Sequence, residues 1–273
     1  MARGRTTTVM TTRLGDGAGV RPDRLVVEEP LEIRLDDHLV STTMRTPGHD
    51  YELAVGFLLT EGLLAGAPVR TVRYCATGPA SETAYNVVTV STGGVAPEPS
   101  ARLQPTTSSC GLCGTASIDA LLSRLEPIAG PPVPIDVAVL VRVASSVRAG
   151  QELFEVTGSI HAAAAFDPST GTVSLVREDI GRHNAVDKVV GRLALDGSLP
   201  AAGLGLFVSG RASFEIVQKA WAAGFGLVVA VSGPSALAVD TARAAGIGLV
   251  GFLRGDTANV YAPEPMVVTR AAG

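Results

Sequence analysis

The chain has 273 residues, of which 46% are hydrophobic and 18% charged, and its formal net charge is −4. This length and apolar content predict a folded protein with a sizeable core and exclude wholesale disorder. The lack of a basic surplus argues against a protein that binds nucleic acid mainly by charge. The 4% aromatic content argues against a platform that stacks single-stranded bases.

Nothing in the sequence indicates secretion or membrane insertion. Residues 1–19 lack the apolar segment of a signal peptide, and no apolar run approaches the roughly 18 residues that cross a bilayer. The three cysteines, Cys75, Cys110 and Cys113, are too few for a disulfide framework. We therefore expect a cytoplasmic protein with no membrane partner and no nucleic-acid partner.

The first part of the chain predicts short strands. Residues 1–24 are polar and glycine-rich, as in a frayed leader or an edge strand. Residues 25–45 contain apolar runs of strand length, which are interrupted at Pro30 and at the Asp36-Asp37 pair.

A helix and two more strands follow. Residues 46–62 predict a helix with Asp50 as its N-cap and Gly62 at its end. Two strands are predicted over 69–76 and 84–92, and the second alternates as a half-buried strand does. We interpret this half as an α+β unit that ends in a loop over 92–109.

From about residue 115 the pattern changes to alternating helices and strands. A helix is predicted over 115–126, and residues 135–158 show helical spacing. The remaining predicted elements are strand 172–179, helix 183–197, strand 203–210, helix 212–224, strand 226–232, helix 235–246 and strand 247–254. This alternation predicts a largely parallel sheet covered by helices.

Small polar and charged residues follow the predicted strands. Ligands of such sheets bind beyond the carboxyl ends of the strands. Those ends carry Arg177–Asp179, Ser209–Arg211, Ser232–Ser235 and Arg254–Asp256. The turns at Ser209 and Ser232 fit phosphate cradles, although ordinary strand-to-helix turns have the same composition.

Cys110-Gly-Leu-Cys113 is the strongest chemical signal. It lies in a serine- and glycine-rich loop just before the helix predicted over 115–126. Backbone N–H groups and the helix dipole favour the nucleophilic thiolate there, and a neighbouring thiol can resolve a disulfide or persulfide. The alternatives are two buried apolar side chains or a zinc site. Zinc needs two more ligands, and Cys75 and four scattered histidines are the candidates for them.

The segment from Glu178 to Lys188 concentrates polar side chains at a strand-to-helix turn. His183 lies one helical turn before Asp187 and Lys188, so this end of the helix can bind an anion or position a proton carrier. The alternative is N-capping by Asn184 together with surface ion pairs.

Six longer segments stand out together. They are MRTPGHDYELAVGFLLTEGL, SSCGLCG, FEVTGSIHAAAAF, REDIGRHNAVDKVVG, VSGRASFEIVQKAW and AVSGPSALAVDTA. The chain thereby resembles, from about residue 24 to its C-terminus, the formate dehydrogenase accessory sulfurtransferase family (FdhD). The resemblance implies a homodimeric protein that accepts sulfur from a cysteine desulfurase as a cysteine persulfide. It implies that the sulfur passes to the molybdenum bis(molybdopterin guanine dinucleotide) cofactor of formate dehydrogenase, and no tightly bound metal is expected.

The resemblance assigns roles by motif position. It makes Cys110 the persulfide-forming residue and Cys113 its supporting partner, whereas Cys75 is interpreted as packing. It places cofactor contacts at Phe252, Leu253, Arg254, Gly255, Asp256 and Thr257, and we add Ser209, Gly210, Arg211, Ser232, Gly233 and His183 from the strand ends. Arg211 and Arg254 suit the phosphates of the cofactor because a guanidinium matches phosphate geometry. His183, Asp179 and Lys188 are expected to shape the pocket or handle protons.

The implied fold is a cytidine-deaminase-like layered α/β sheet preceded by a smaller α+β domain. The corresponding divisions are a leader or edge strand over 1–24, an N-terminal domain over 25–109 and a C-terminal domain over 110–273 that begins with the cysteine loop.

Deamination itself is not expected. A zinc deaminase needs His-x-Glu, whereas this chain has His161-Ala162-Ala163 and so lacks the catalytic carboxylate. His161 is therefore a ligand, an acid–base group or a hydrogen-bonded core histidine. The alternatives to sulfur transfer are a zinc-dependent hydrolase and a non-catalytic chaperone of the pterin cofactor.

Overall fold

The computed structural model describes residues 4–75, 83, 85–99, 126–128 and 136–262. These residues form six helices and three sheets. The strands are β1 (Thr6–Arg13), β2 (Gly19–Val26), β3 (Glu29–Leu35), β4 (His38–Arg45), β5 (Thr71–Tyr74), β6 (Val87–Ser91), β7 (His161–Phe166), β8 (Val173–Asp179), β9 (Gly205–Val208), β10 (Leu227–Ala230), β11 (Gly248–Arg254) and β12 (Thr257–Ala262). The helices are α1 (Asp50–Thr60), α2 (Val137–Ala149), α3 (Glu152–Thr157), α4 (Arg182–Leu195), α5 (Phe214–Ala223) and α6 (Ala236–Ala245).

The largest sheet has six strands in the order β12-β11-β10-β9-β7-β8. Helices α4, α5 and α6 cover one face of this sheet, and α2 covers the other. This confirms the predicted layered α/β fold class. The prediction of a largely parallel sheet is wrong in part, because only β9, β10 and β11 are joined to one another by parallel pairing. Strands β7, β8 and β12 each join through antiparallel pairing.

The last strand, β12, was not predicted. The last predicted strand ends at Arg254, but the chain turns at Gly255-Asp256 and returns as β12. The turn needs a backbone with positive φ, which Gly255 provides at 56°.

A smaller four-stranded sheet in the order β4-β3-β6-β5 packs against α1. Pro30 lies within β3 and does not interrupt it as predicted. It is tolerated because β6 pairs with β3 only from Glu32 onward, which leaves the edge beside Pro30 unpaired by β6. The predicted interruption at Asp36-Asp37 is confirmed, since these two residues form the turn between β3 and β4 and both have positive φ.

The predicted N-cap Asp50 is wrong, and so is the N-capping by Asn184 that was the alternative for the segment from Glu178 to Lys188. His49 is the N-cap of α1, and Asp50 is the first helical residue, whose carboxylate binds Arg45 at 3.0 and 3.1 Å. Gly181 is the N-cap of α4, and Asn184 instead donates a hydrogen bond to Met44 O at 2.8 Å. In both cases the side chain bonds to a partner outside its own helix and not to an N–H of the helix.

Helices α1 and α4 join the two sheets through a glycine-to-glycine crossing. A Cβ added at Gly191 would overlap the carbonyl group of Glu52, and one added at Gly56 would overlap that of Asp187. The two backbones can approach this closely only because neither position carries a side chain.

The predicted helix over 115–126 and the predicted division at 109/110 lie outside the described residues. Among the described helices, none combines the length and apolar character needed to cross a bilayer.

Candidate functional site at the strand ends

The carboxyl ends of four strands meet at one edge of the six-stranded sheet. Strands β9, β10 and β11 are parallel, and β8 shares their direction because both β8 and β9 run antiparallel to β7. The same edge receives the start of β7, where His161 lies opposite Asp179. The structure therefore brings the predicted strand-end segments together.

A cavity of about 460 Å³ opens at this edge. The strand ends contribute His161, Ile180, Ser209 and Val231, and the elbow between α2 and α3 contributes Arg148 and Phe154. The Arg148 guanidinium lies 4.1 Å from the centre of the Phe154 ring. Apolar walls, one cation and a few polar groups therefore line this cavity.

Glu178 holds the elbow in place. Its two carboxylate oxygens accept hydrogen bonds from Leu153 N and Phe154 N, each at 2.9 Å. These N–H groups belong to the first turn of α3, which has no other side-chain cap. A carboxylate at a helix N-terminus also has favourable electrostatics. Glu178 therefore fixes the wall that carries Phe154.

His161 faces the turn after β9. A Cβ at Gly210 would lie 3.6 Å from the His161 ring and 3.9 Å from Arg182 Cδ, so this glycine leaves room around the imidazole. Burial and the charge of Arg182 lower the pKa of His161. The imidazole is therefore neutral near pH 7 and has the form that accepts a proton.

The turns proposed as phosphate cradles use part of their hydrogen-bonding capacity within the protein. Ser209 N donates to Ala162 O at 2.9 Å, and Ser232 N donates to Gly210 O at 3.2 Å. The Ser209 hydroxyl accepts from Ala162 N at 2.9 Å. These two backbone N–H groups are therefore already engaged within the protein and are not free to donate to a phosphate.

Phe252 is an exposed aromatic side chain at the same edge. Its backbone has a φ of 51°, and its N–H donates to Ser232 O at 3.2 Å. A Cβ at Gly233 would lie 2.5 Å from the Phe252 ring, so the ring occupies space that only glycine leaves open. The Arg254 guanidinium lies 5.9 Å from the centre of this ring.

The remaining residues that were predicted to contact the cofactor differ in whether their side chains are exposed. The side chains of Arg211, Arg254, Asp256 and Thr257 are exposed, and Gly255 lies in the exposed turn between β11 and β12. The Leu253 side chain is 4% exposed and packs in the core beside α2, so it is not available to a ligand.

His183 lies beneath the edge and does not line the cavity. Its Nε2 atom lies 3.5 Å from Ser213 Oγ and 3.8 Å from Glu215 Oε2, and the residue is 7% exposed. Burial, together with the charges of Lys219 and Arg182, lowers the pKa of His183 to about 4.

This shifted pKa predicts a pH dependence of stability. Unfolded His183 takes up a proton near pH 6.5, whereas the folded form resists protonation until about pH 4, so stability falls as pH drops through this window. Replacing His183 with asparagine should remove that part of the slope. Urea unfolding at about pH 7 and about pH 4.5 measures it. Equal slopes for the two proteins would contradict the prediction.

Asp179 and Lys188 form a fully buried ion pair at 2.6 Å. Lys188 Nζ also donates to Thr46 O at 3.0 Å, and Asp179 accepts from Thr46 N at 3.1 Å and Gly181 N at 2.8 Å. Neither charged group is exposed to a ligand. The pair instead ties the start of α4 to the segment after β4.

The described cysteine, Cys75, has a structural position. It is 3% exposed, and its Sγ atom lies 2.8 Å from Thr83 Oγ1. Cys110 and Cys113 lie outside the described residues. In the part of the chain that the structure describes, no three His, Cys, Asp or Glu side chains are grouped to hold a metal ion.

Sequence reasoning missed the cavity wall formed by Arg148 and Phe154. The available signal was the Gly150-Gln151 pair inside the stretch of helical spacing over 135–158. Gly150 ends α2, and the chain restarts as α3, which turns Phe154 toward the strand ends.

The fold and the edge define a layered mixed α/β protein with a cavity at its strand carboxyl ends. The chain belongs to the FdhD/NarQ family, which it matches over residues 26–267.

The chain is similar to proteins named "Sulfur carrier protein FdhD". The protein of Streptomyces avermitilis is 50% identical and that of Streptomyces coelicolor 51%, each over 95% of both chains. The protein of Mycobacterium tuberculosis is 49% identical over 88% of this chain and 90% of its own.

The fold also resembles a solved structure. A candidate formate dehydrogenase accessory protein from Desulfotalea psychrophila has a TM-score of 0.76 and 21% identity, over 97% of this chain and 100% of that one.

Proposed function

We propose that this protein is a cytoplasmic sulfurtransferase that serves formate dehydrogenase. It accepts sulfur from a cysteine desulfurase as a persulfide on Cys110 and passes it to the molybdenum bis(molybdopterin guanine dinucleotide) cofactor. The carrying observation is the Cys110-Gly-Leu-Cys113 pair in a chain that is about half identical to proteins named sulfur carriers. Thiols of cytoplasmic proteins stay reduced, as this chemistry requires.

The loading step is a thiol exchange without net oxidation. The Cys110 thiol gives up its proton, and the thiolate attacks the terminal sulfur of the donor persulfide. The S–S bond of the donor breaks as the new S–S bond on Cys110 forms. The donor cysteine leaves as a thiolate and takes up a proton, so atoms, electrons and charge balance.

The strand-end edge supports the binding half of the proposal. The cavity of about 460 Å³ lies within the size range of small-molecule sites, so it accommodates one part of a large dinucleotide cofactor. Exposed Arg211 and Arg254 provide guanidinium groups for phosphates, and Phe252 offers an exposed ring to a planar heterocycle. The net charge of −4 means that attraction must come from these local groups.

Persulfide loading tests the proposal directly. The purified protein is incubated with a cysteine desulfurase and cysteine, and its intact mass is measured before and after reduction. The wild-type chain should gain about 32 Da per transferred sulfur, and reduction should remove the gain. Cys110→Ala should gain none, whereas the matched control Cys75→Ala should gain as much as wild type because Cys75 is buried in packing.

A second readout separates the alternatives. Cys110→Ala should abolish activation of formate dehydrogenase, and full activation by this variant would overturn the sulfur relay. Full activation by a double Cys110→Ala, Cys113→Ala variant that still binds the cofactor would identify a chaperone. Stoichiometric zinc that resists chelation in the wild-type protein, without persulfide gain, would identify the zinc hydrolase.

A further inference from the structure

Arg182 has a buried side-chain donor without a partner. It is the first residue of α4, at the strand-end edge. Its Nε atom is buried, and no group within the part of the chain that the structure describes accepts a hydrogen bond from it. Arg45 and Arg177 are also largely buried, but each binds a carboxylate through two nitrogen atoms. Since buried donors are nearly always hydrogen-bonded, Arg182 is a candidate for binding a ligand.

His161 lies beside Arg182. A Cβ added at Gly210 would lie 3.6 Å from the His161 ring and 3.9 Å from Arg182 Cδ, so the two side chains border the same gap. The gap adjoins the cavity, because His161 and Ser209 line the cavity wall. The His161 imidazole is neutral near pH 7, so it has one N–H donor. An anion in the gap therefore meets a cation and a neutral donor.

The neighbouring carboxylates are engaged by other groups. The charge of Glu215, on α5, interacts with Arg182, but this carboxylate accepts hydrogen bonds from Ser213 Oγ and from its own backbone N–H. Asp179, whose charge acts on His161, is paired with Lys188 at 2.6 Å. These carboxylates therefore offset the charge of Arg182 only in part.

The start of α4 adds to the positive potential. Its first turn contains no acidic residue, and its N-cap Gly181 has no side chain, so the positive end of the helix dipole is not neutralised locally. His183, the next residue, is neutral near pH 7, because burial, Lys219 and Arg182 lower its pKa to about 4. The gap beside Gly210 is therefore electrostatically suited to an anion.

The donors at the gap favour an anion with one charge. A phosphate has three acceptor oxygens and up to two charges, and it is best held by several donors. The backbone N–H groups of Ser209 and Ser232 are engaged within the protein. A persulfide anion carries one charge, and its sulfur is a weak hydrogen-bond acceptor that needs few donors. The phosphates of the cofactor fit the exposed Arg211 and Arg254 better.

We propose that Arg182 and His161 bind the terminal sulfur of the Cys110 persulfide as an anion, in the gap beside Gly210. This inference rests on the proposed function, in which the persulfide must reach a cofactor bound in the adjoining cavity. The charge of Arg182 favours the deprotonated persulfide over the protonated one, so it lowers the pKa of the persulfide. The sulfur thereby stays nucleophilic, and no bond forms or breaks in this binding step.

The pH dependence of persulfide reactivity tests this assignment. Protein loaded by a cysteine desulfurase is treated with iodoacetamide at a series of pH values, and the label that a reductant removes is counted by intact mass. Only label on the persulfide is removed, because reduction cleaves its S–S bond and leaves thioethers intact. The rate follows the deprotonated fraction. Arg182→Gln should raise the pH midpoint by about one unit, and Arg182→Lys, which keeps the charge, should resemble wild type.

Arg192→Gln is the matched control, because it removes a guanidinium group from the other end of α4. Its midpoint should equal that of wild type. An unchanged midpoint in Arg182→Gln, or an equal rise in Arg192→Gln, would overturn the inference and leave the proposed function intact. The absence of any mass gain in wild type would instead overturn the proposed function, and this inference with it.

Anion binding is tested separately in Cys110→Ala protein, which cannot carry a persulfide at that position. Sodium thiocyanate, a monovalent anion that contains sulfur, and sodium phosphate are titrated at constant ionic strength and followed by NMR. Thiocyanate should shift the signals of the Arg182 amide and the His161 ring in a saturable manner. The absence of a saturable shift, or tighter binding of phosphate at the same signals, would overturn the inference. This measurement does not require an Arg182 variant that folds.

Discussion

Gly191→Ala is expected to lower the free energy of unfolding by about 3 kcal/mol or more. Glycine to alanine in a helix interior ordinarily stabilises by about 0.5 to 1 kcal/mol, so the prediction reverses the usual sign. The reason is the crossing of α1 and α4, where the new methyl group would overlap the Glu52 carbonyl. The clash meets backbone on both sides and cannot be relieved by a side-chain rotation.

Gly226→Ala is the matched control for this prediction. A Cβ at Gly226 meets nothing within 4 Å, and its φ is not positive. We expect a change within about 0.5 kcal/mol. Chemical denaturation of the three proteins measures the difference. A Gly191→Ala protein as stable as wild type would show that the two helices can separate freely.

Lys188→Met is expected to cost about 3 to 5 kcal/mol, because it leaves the Asp179 carboxylate buried without its cation. Both side chains have 0% exposure, and Lys188 also loses its hydrogen bond to Thr46 O. Because methionine keeps the length and apolar stem of lysine, the decrease in the free energy of unfolding comes mainly from the loss of the charge.

Arg192→Met is the matched control for Lys188→Met, on the same helix. Arg192 pairs with Asp196 at 2.6 Å, where both side chains are at least 40% exposed, and it reaches Glu52 only at 4.0 Å, the outer limit of an ion pair. Exposed ion pairs contribute less than about 1 kcal/mol, so this substitution should be nearly neutral. A third variant, Asp179→Asn with Lys188→Met, should lose less than the sum of the single changes. Additive losses in this cycle would show that the two groups do not interact.

The alternation of strands and helices was predictable from sequence, but the direction of the outer strands was not. Apolar runs and turn residues correctly placed β9, β10 and β11 with the helices between them. Strand β7 is mostly alanine, which has little strand preference, so its sequence gave no sign of an antiparallel strand inserted between β8 and β9. The return of the chain as β12 depends on one glycine turn, which looks like any loop.

The strand-end edge was predictable, because small polar residues after buried strands mark it. The sequence does not predict which side chains at this edge are exposed. Leu253 and Phe252 are neighbours in sequence, yet one is in the core and the other is 40% exposed. Likewise, the polar run from Glu178 to Lys188 resembled a binding segment. Its charges are instead mostly satisfied inside the protein, because Thr46 and other distant partners meet them there.

The hydrogen bonds from the first turn of α3 to Glu178 couple the binding of a ligand in the cavity to the folding of this turn. Helix α3 has only six residues and is too short to persist without external support. Its first turn is held by a strand-end carboxylate, and its Phe154 side chain borders the cavity. A molecule that fills the cavity and contacts Phe154 therefore stabilises this turn to the extent that it binds only when the turn is formed. Amide hydrogen exchange at Leu153 and Phe154 should therefore be slower with a ligand in the cavity than without one, so this measurement detects binding even when the chemical identity of the ligand is unknown.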